Sequence, residues 1–166
     1  YKVMEGGAMM LQAEPNPEIE ALMDSMIAII ARAQQAVGYL YVSHICGNPT
    51  PGDMGTRPYS NIIHSHELYN IGHMYEAAVA YARATGKTKF LDVAEKSARH
   101  VNQAIFVGDP NYNDGKPVMQ APGHEEIELG LIKLYNYTGK ELYKEMAQRF
   151  LEIRGVTFIP QGGNLH

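Results

Sequence analysis

The sequence predicts an all-α protein in which helical hairpins form about half of an (α/α)6 barrel. Two observations support this prediction. Apolar residues recur at helical spacing in several segments, which are separated by stretches rich in Gly, Pro and Asn. In addition, the turn Thr85-Gly86-Lys87 occurs again as Thr138-Gly139-Lys140, and each copy joins two helical segments. Repeats of this kind bury their apolar faces by stacking on one another.

The two helices of each hairpin differ in polarity. The first is the more apolar, and the second carries charged residues along one face, which is typical of an inner and an outer helical layer. Residues 1–35 form a third, looser copy of the hairpin. Three hairpins do not close a ring, and a barrel of six needs roughly twice this length. The chain is therefore predicted to be the N-terminal half of a barrel.

The hairpin of residues 1–35 contains a clear break between its two helices. Residues 1–12 are predicted to be the C-terminal part of one helix, and the next helix runs from about Pro17 to Gln35. Asn16 suits the N-cap of that second helix, and proline is favoured at the first helical position. Residues 39–63 contain several Gly and Pro residues, so this segment is predicted to be irregular.

The central helix of the prediction lies within residues 64–87. Ser65 is a candidate N-cap, and Gly86 suits the left-handed residue that ends a helix. The body, AAVAYA, is apolar almost all round, which predicts a helix buried on both sides. Polar residues therefore gather at the start of a buried helix.

The remainder of the chain is predicted to hold three more helices and one long loop. The last helix is expected to stop at Gly155. Residues 1–155 are then one partial barrel domain, and residues 156–166 are an irregular tail. The predicted helices are 89–104, 124–137 and 140–154, and the loop is 106–123.

Composition excludes several classes of protein. The formal charge of −4 and the lack of a Lys/Arg cluster argue against a nucleic-acid partner. The one cysteine, Cys46, excludes an internal disulfide and a multi-cysteine zinc site within these residues. The longest apolar run, 26–31, is far shorter than the ~20 residues that cross a bilayer, so no membrane partner is predicted.

The first candidate site lies at the start of the central helix. His66, Glu67 and Tyr69 occur there, and Tyr69 shares a helix face with His66. A ligand site is one interpretation, and a capped, hydrogen-bonded helix start is the other. No metal site is predicted, because His73 lies roughly 10 Å along the axis from His66 and no single ion reaches both. His73 is expected to be a core histidine.

The second candidate site repeats this pattern before the next inner helix. His124 is followed by Glu126 and Glu128, and His124 and Glu128 are predicted to lie one helical turn apart. A carboxylate there would fix the tautomer of the imidazole. At least one of the two glutamates is expected to be partly buried, with a raised pKa that suits an acid. The alternative is a solvated first turn whose acids complement the helix dipole.

Three groups of short motifs occur in order along the chain. They are Ile30-Ala31-Arg32-Ala33-Gln34-Gln35 with Gly38-Tyr39-Leu40, Ser65-His66-Glu67-Leu68-Tyr69 with Gly72-His73, and Gly123-His124 with Glu126-Ile127-Glu128-Leu129. Together they resemble the β-L-arabinofuranosidase family of glycoside hydrolases, family 127. The resemblance covers about residues 1–155.

The resemblance implies a six-hairpin α/α barrel and hydrolysis of terminal L-arabinofuranosides, so a carbohydrate is the expected partner. It also implies a cysteine nucleophile, a glutamate acid/base, and a zinc ion held by cysteines and a glutamate. All of these come from segments beyond this chain, so no catalytic residue and no cofactor is expected here. His66 and His124 resemble the family's sugar-contacting histidines, and Glu67, Tyr69 and Glu128 are expected to bind substrate beside them.

Two other functions remain open at this point. The chain could belong to another α/α-barrel sugar enzyme, such as an epimerase or an unsaturated-uronide hydrolase, because a fold does not fix a function. It could also be a non-catalytic helical scaffold that binds a peptide. The glycosidase hypothesis requires that the His66 and His124 rings converge, whereas a scaffold would scatter them over one surface.

Overall fold

A computed structural model describes residues 1–47 and 55–157, with the side chains of 155–157 excepted. The described residues form helices and loops without a β-strand, which confirms the all-α prediction. None of the described helices has the length and hydrophobicity that a membrane span requires. The helices are α1 (Lys2–Ala13), α2 (Pro17–Ala33), α3 (Val42–Ile45), α4 (Glu67–Thr85), α5 (Lys89–Asn102), α6 (Ile127–Thr138) and α7 (Glu141–Thr157).

The longer helices form two layers. Helix α4 lies between α1 and α6, and these three are the inner layer. Helices α2, α5 and α7 each pack on the preceding inner helix, and α2 also packs on α5. The structure therefore confirms three helical hairpins, with 1–33 as the third copy. Helix α4 is buried nearly all round, as its AAVAYA body predicted.

Two glycines allow the inner helices α4 and α6 to approach closely. A Cβ atom added at Gly130 would lie 2.5 Å from the carbonyl oxygen of Gly72. A Cβ atom added at Gly72 would lie 2.7 Å from the backbone of Glu126. Any side chain at either position would therefore push the two helices apart.

The two TGK turns have the same structure. Gly86 and Gly139 end their helices with φ angles of 74° and 71°, in the left-handed region that glycine adopts without strain. In both turns the threonine hydroxyl, of Thr85 or Thr138, donates to the carbonyl four residues earlier and accepts from the following lysine N–H. The internal repeat in the sequence is thus a structural repeat.

The caps of two helices show one agreement and one correction. Asn16 caps α2 as predicted, since its side-chain oxygen accepts from the N–H groups of Glu18 and Ile19. Ser65 is not the N-cap of α4, because the flanking residue is His66, which has a left-handed backbone with φ 58°. The Ser65 hydroxyl is buried; it donates to the Glu67 carboxylate at 2.8 Å and accepts from the Glu67 N–H at 3.4 Å.

The predicted start of α6 was wrong by three residues. The helix begins at Ile127 rather than at His124, and the backbone of Glu126 is not helical. The physical reason is local hydrogen bonding: the Glu128 carboxylate accepts from the Glu126 N–H, and Arg154 holds the carbonyl oxygen of Pro122. These bonds hold the preceding residues outside the helix.

Three other boundaries also differ from the predictions. The segment 39–63 was predicted to be irregular, but it contains the short helix α3. Helix α5 continues through a π-helical turn at Gln103–Val107, where the loop was expected to begin. Helix α7 does not stop at Gly155 but continues to Thr157. Residues 158–166 of the predicted tail, like 48–54, lie outside the described residues, so the predicted domain boundary at 155 stays a prediction.

Candidate functional site

Two histidines meet where the inner helices α4 and α6 begin. The His66 and His124 rings are stacked, with centroids 4.9 Å apart and planes inclined by 26°. His66 is half-buried and His124 is exposed, so a small molecule can reach both rings. The convergence that the glycosidase hypothesis requires is therefore present, although the two histidines come from different hairpins. A pair of imidazoles can both donate and accept hydrogen bonds to hydroxyl groups.

Tyr69 supports both of these rings. Its ring centroid lies 6.0 Å from that of His66 and 5.5 Å from that of His124. The Nζ atom of Lys2, at the start of α1, donates to the Tyr69 hydroxyl at 2.5 Å. The candidate site thus draws on all three inner helices. Its polar groups surround an open surface rather than the core.

Glu67 is buried and binds the long loop before α4. Its Oε1 accepts from the Tyr39 hydroxyl at 2.5 Å, and its Oε2 accepts from Ser65 Oγ at 2.8 Å. The backbone N–H of Tyr59 contacts both oxygens. Burial, together with the charge of Glu67, raises the pKa of Tyr39, so this hydroxyl remains a donor. Glu67 therefore anchors the loop, and its contact with a substrate stays a prediction.

Glu128 plays a similar anchoring role before α6. Its Oε1 pairs with Nη2 of Arg154 at 2.8 Å, and its Oε2 accepts from the Glu126 N–H at 3.2 Å. Arg154 also donates to the carbonyl oxygens of Pro122 and His124. The predicted one-turn spacing of His124 and Glu128 is wrong, because His124 precedes the helix. A substrate contact of Glu128 stays a prediction.

Below Tyr69, a buried ionisable cluster joins α4 to α6. His73 Nδ1 lies 3.2 Å from Glu76 Oε2 and 2.8 Å from Glu126 Oε1. Burial and, after it, the neighbouring Glu76 together raise the pKa of Glu126 to about 8. The structure therefore bears out the expectation of a buried, raised-pKa glutamate, and it identifies that residue as Glu126.

This cluster also contains the one group of candidate metal ligands found among the described residues. His73, Glu76 and Glu126 each offer a ligand atom, and these atoms lie within 4.8 Å of one another. They do not fit the zinc that the family resemblance implies, since that ion is held by cysteines. Cys46 is exposed and is the only cysteine of the sequence.

A separate polar cleft of about 330 Å³ lies between the two long loops. Arg57, Tyr59, Asn111 and Tyr112 are among the residues that line it. Tyr59 connects the cleft to the histidine site, because its backbone binds Glu67.

Several residues of the site could not be recognised from the sequence. Lys2, Glu76, Lys133 and Arg154 are ordinary helix residues in the sequence, and only the packing of distant helices brings them to the site. One signal was available: His73 and Glu76 are spaced i, i+3 and so share a helix face. That spacing indicates a partner for His73 on its own helix.

Stacked helical hairpins with polar residues at the starts of the inner helices place the chain in the α/α-barrel class. Comparison with known proteins narrows the class. Residues 1–163 match the family model described as β-L-arabinofuranosidase, GH127 catalytic domain. The chain therefore belongs to the GH127 family of glycoside hydrolases.

Individual relatives agree with this assignment. A non-reducing end β-L-arabinofuranosidase of Bifidobacterium longum subsp. longum is 41% identical over 158 residues, which are 93% of this chain and 22% of that protein. The structure resembles a GH127 β-arabinofuranosidase with a TM-score of 0.84 and 39% identity, over 95% of this chain and 24% of that one. It also resembles a GH127 β-L-arabinofuranosidase of Geobacillus stearothermophilus T6, with a TM-score of 0.77 and 36% identity, over 99% of this chain and 25% of that one. The chain thus spans about a quarter of the length of these relatives.

Proposed function

We propose that this chain is the sugar-contacting part of a glycosidase that removes terminal L-arabinofuranosyl residues from glycans. The stacked His66–His124 pair carries the proposal, because it places two accessible imidazoles from adjacent inner helices side by side. Imidazole nitrogens that lie side by side can bind neighbouring hydroxyl groups of one sugar ring. Membership of GH127 supports the choice of an L-arabinofuranoside.

The reactive groups are proposed to lie outside this chain. In this proposal the residues of the chain bind and orient the sugar, with His66, His124 and Tyr69 in contact with it. Glu67 and Glu128 keep the two histidine-bearing segments in place, which is what their hydrogen bonds support. The cysteine nucleophile, the acid/base and the zinc ion remain expectations for the full-length protein. We expect the 166-residue chain alone to show no turnover of an aryl L-arabinofuranoside.

The test uses the full-length protein and an aryl β-L-arabinofuranoside. We expect His66→Ala and His124→Ala each to lower kcat/KM by about 10- to 100-fold, because each removes a hydrogen bond to the sugar. His64→Ala is the matched control, since His64 is an exposed histidine two residues from His66. It should leave kcat/KM unchanged. Equal rates for His66→Ala and His64→Ala would contradict the proposal.

A further inference from the structure

The ionisable cluster of His73, Glu76 and Glu126 below the histidine pair has more hydrogen-bond acceptors than donors. His73 Nδ1 carries at most one hydrogen, yet it faces oxygens of both Glu76 and Glu126, at 3.2 and 2.8 Å. The imidazole is hydrogen-bonded to Glu76, and no hydrogen bond reaches the buried Oε1 of Glu126. Oxygens of the two carboxyl groups lie within 4.8 Å of each other, so two ionised groups would repel at this buried contact, and a proton on one of them removes the repulsion.

The charged side chains of the surrounding helices also indicate one additional proton in this cluster. Lys133 of α6 contacts carboxylate oxygens of both Glu76 and Glu5, with 2.9 Å to Glu5 of α1. The second ammonium group in range is that of Lys2, which binds Tyr69. Three carboxyl groups thus face two ammonium groups, and one extra proton balances the cluster.

His73 is a poor place for that proton. Its Nε2 atom is buried and has no hydrogen-bond partner, so a proton there would form an unpaired buried N–H. Burial also lowers the pKa of His73. The carboxyl pair is the better place, because a proton between two carboxyl oxygens makes a hydrogen bond.

Glu126 is connected to the candidate site by its backbone and by a chain of rings. It lies two residues after His124, and its backbone packs directly on Gly72 of α4. From its partner His73, the Tyr69 ring follows at 4.6 Å between centroids, and the His124 ring at 5.5 Å from Tyr69. Glu126 and the imidazole of His124 are thus joined by contiguous contacts.

We propose that Glu76 and Glu126 share one proton, and that the protonated Glu126 is a positioning residue that holds the His124 segment against α4. If Glu126 lost the proton, two carboxylates would repel each other at the contact that joins α4 to this segment. The effect on catalysis rests on the proposed sugar contact of His124. The shared proton itself does not depend on that function.

The proton is tested directly by infrared spectroscopy of the full-length protein at neutral pH. We expect the C=O stretch of a protonated carboxyl group to be present in the wild type and lost in Glu126→Gln. Glu125→Gln is the matched control, since Glu125 is the exposed neighbour on the same segment, and it should keep the band. An unchanged band in Glu126→Gln would overturn the proposal, whether or not the protein hydrolyses any glycoside.

Positioning is tested by conservative rescue and by pH. Glutamine resembles a protonated carboxyl group in shape, so Glu126→Gln should keep kcat/KM within about 3-fold of wild type near pH 6, whereas Glu126→Ala should lose about 10-fold or more, mainly through KM. The ratio of wild-type to Glu126→Gln kcat/KM should fall as pH rises through about 8, where Glu126 loses its proton. Equal damage by Gln and Ala, or a ratio independent of pH, would overturn the positioning role.

A divalent cation is the competing explanation for three facing ligand atoms. Elemental analysis of the purified protein, followed by titration with Zn²⁺ or Mn²⁺, separates the two. We expect no stoichiometric metal that depends on His73 and Glu126. A bound ion that is lost in both His73→Ala and Glu126→Gln would overturn the shared proton.

Discussion

The starts of α4 and α6 each hold a buried glutamate, but the two carboxyl groups have opposite surroundings. Glu67, the first residue of α4, accepts hydrogen bonds from two hydroxyl groups and a backbone N–H, and His44 Nδ1 lies 3.4 Å from its Oε1. Glu126, before α6, faces a second carboxyl group and an imidazole. Glu67 is only 1% exposed and Glu126 only 7%, so burial alone does not distinguish them.

The difference shows that two buried carboxyl groups can have very different hydrogen-bond partners. Three donors replace the water that Glu67 loses on burial. At Glu126 the neighbouring group is another carboxyl group, and the state of lower free energy is the one in which the two groups share a proton. Two neighbouring helix starts thus surround a buried glutamate in different ways: hydrogen-bond donors face Glu67, and a second carboxyl group faces Glu126.

The largest expected effect comes from separating the two helix starts. Gly72→Ala places a methyl group 2.7 Å from the backbone of Glu126, so we expect it to lower the free energy of unfolding by about 3 kcal/mol. Gly6→Ala is the matched control in α1, where nothing lies within 4 Å of the new methyl group. It should raise stability by ~0.5–1 kcal/mol, and urea unfolding measures both. Similar stabilities for the two variants would contradict the close packing of α4 on this segment.

The next largest effect comes from the same Glu→Gln substitution made at Glu67 and at Glu126. Glu67→Gln turns an amide group toward donors, so we expect a loss of about 1.5–3 kcal/mol in unfolding free energy. Glu126→Gln keeps the shape and charge of a protonated carboxyl group and should change stability by less than ~0.5 kcal/mol near pH 5. Chemical denaturation of both variants checks this. Equal losses would show that the two sites do not differ in charge.

The pH dependence of stability sharpens that contrast. The pKa of Glu126 rises from 4.5 in the unfolded chain to about 8 in the folded chain, so the folded state binds more protons between these values. Stability from this group is full below pH 4.5 and is lost as pH rises through 8. The lowered pKa of His73 acts in the opposite direction. We therefore expect wild type to lose stability relative to Glu126→Gln between pH 5 and 8, and a constant difference would contradict the proton.

The smallest effect concerns the equivalent lysines of the two TGK turns. Lys87 pairs with Glu20 and Asp24 of α2, and Lys140 pairs with Glu95 of α5. Both lysines are exposed, so each alanine variant should lose less than ~1 kcal/mol, and the loss should disappear in high salt. Thermal unfolding at two salt concentrations measures it. A large or salt-independent loss would give these lysines a packing role as well.

The sequence predicted the hairpins well because their signals are local. Apolar spacing and the glycine that follows each inner helix are properties of a few consecutive residues, and Gly86 and Gly139 have the expected backbone. The start of α6 was misplaced because it depends on Arg154, which is distant in sequence. The boundary of the domain at 155 stays a prediction.

By itself, the sequence determined that the chain forms helical hairpins, and that His66 and His124 stand before neighbouring inner helices. Only the tertiary structure decided which groups meet across those helices: the stacked imidazoles, the donors around Glu67 and the acid beside Glu126. The physical reason is the distance along the sequence over which each kind of interaction acts. Helix periodicity and turns are local properties of the chain, whereas the charge of a buried group depends on neighbours that packing brings from other helices.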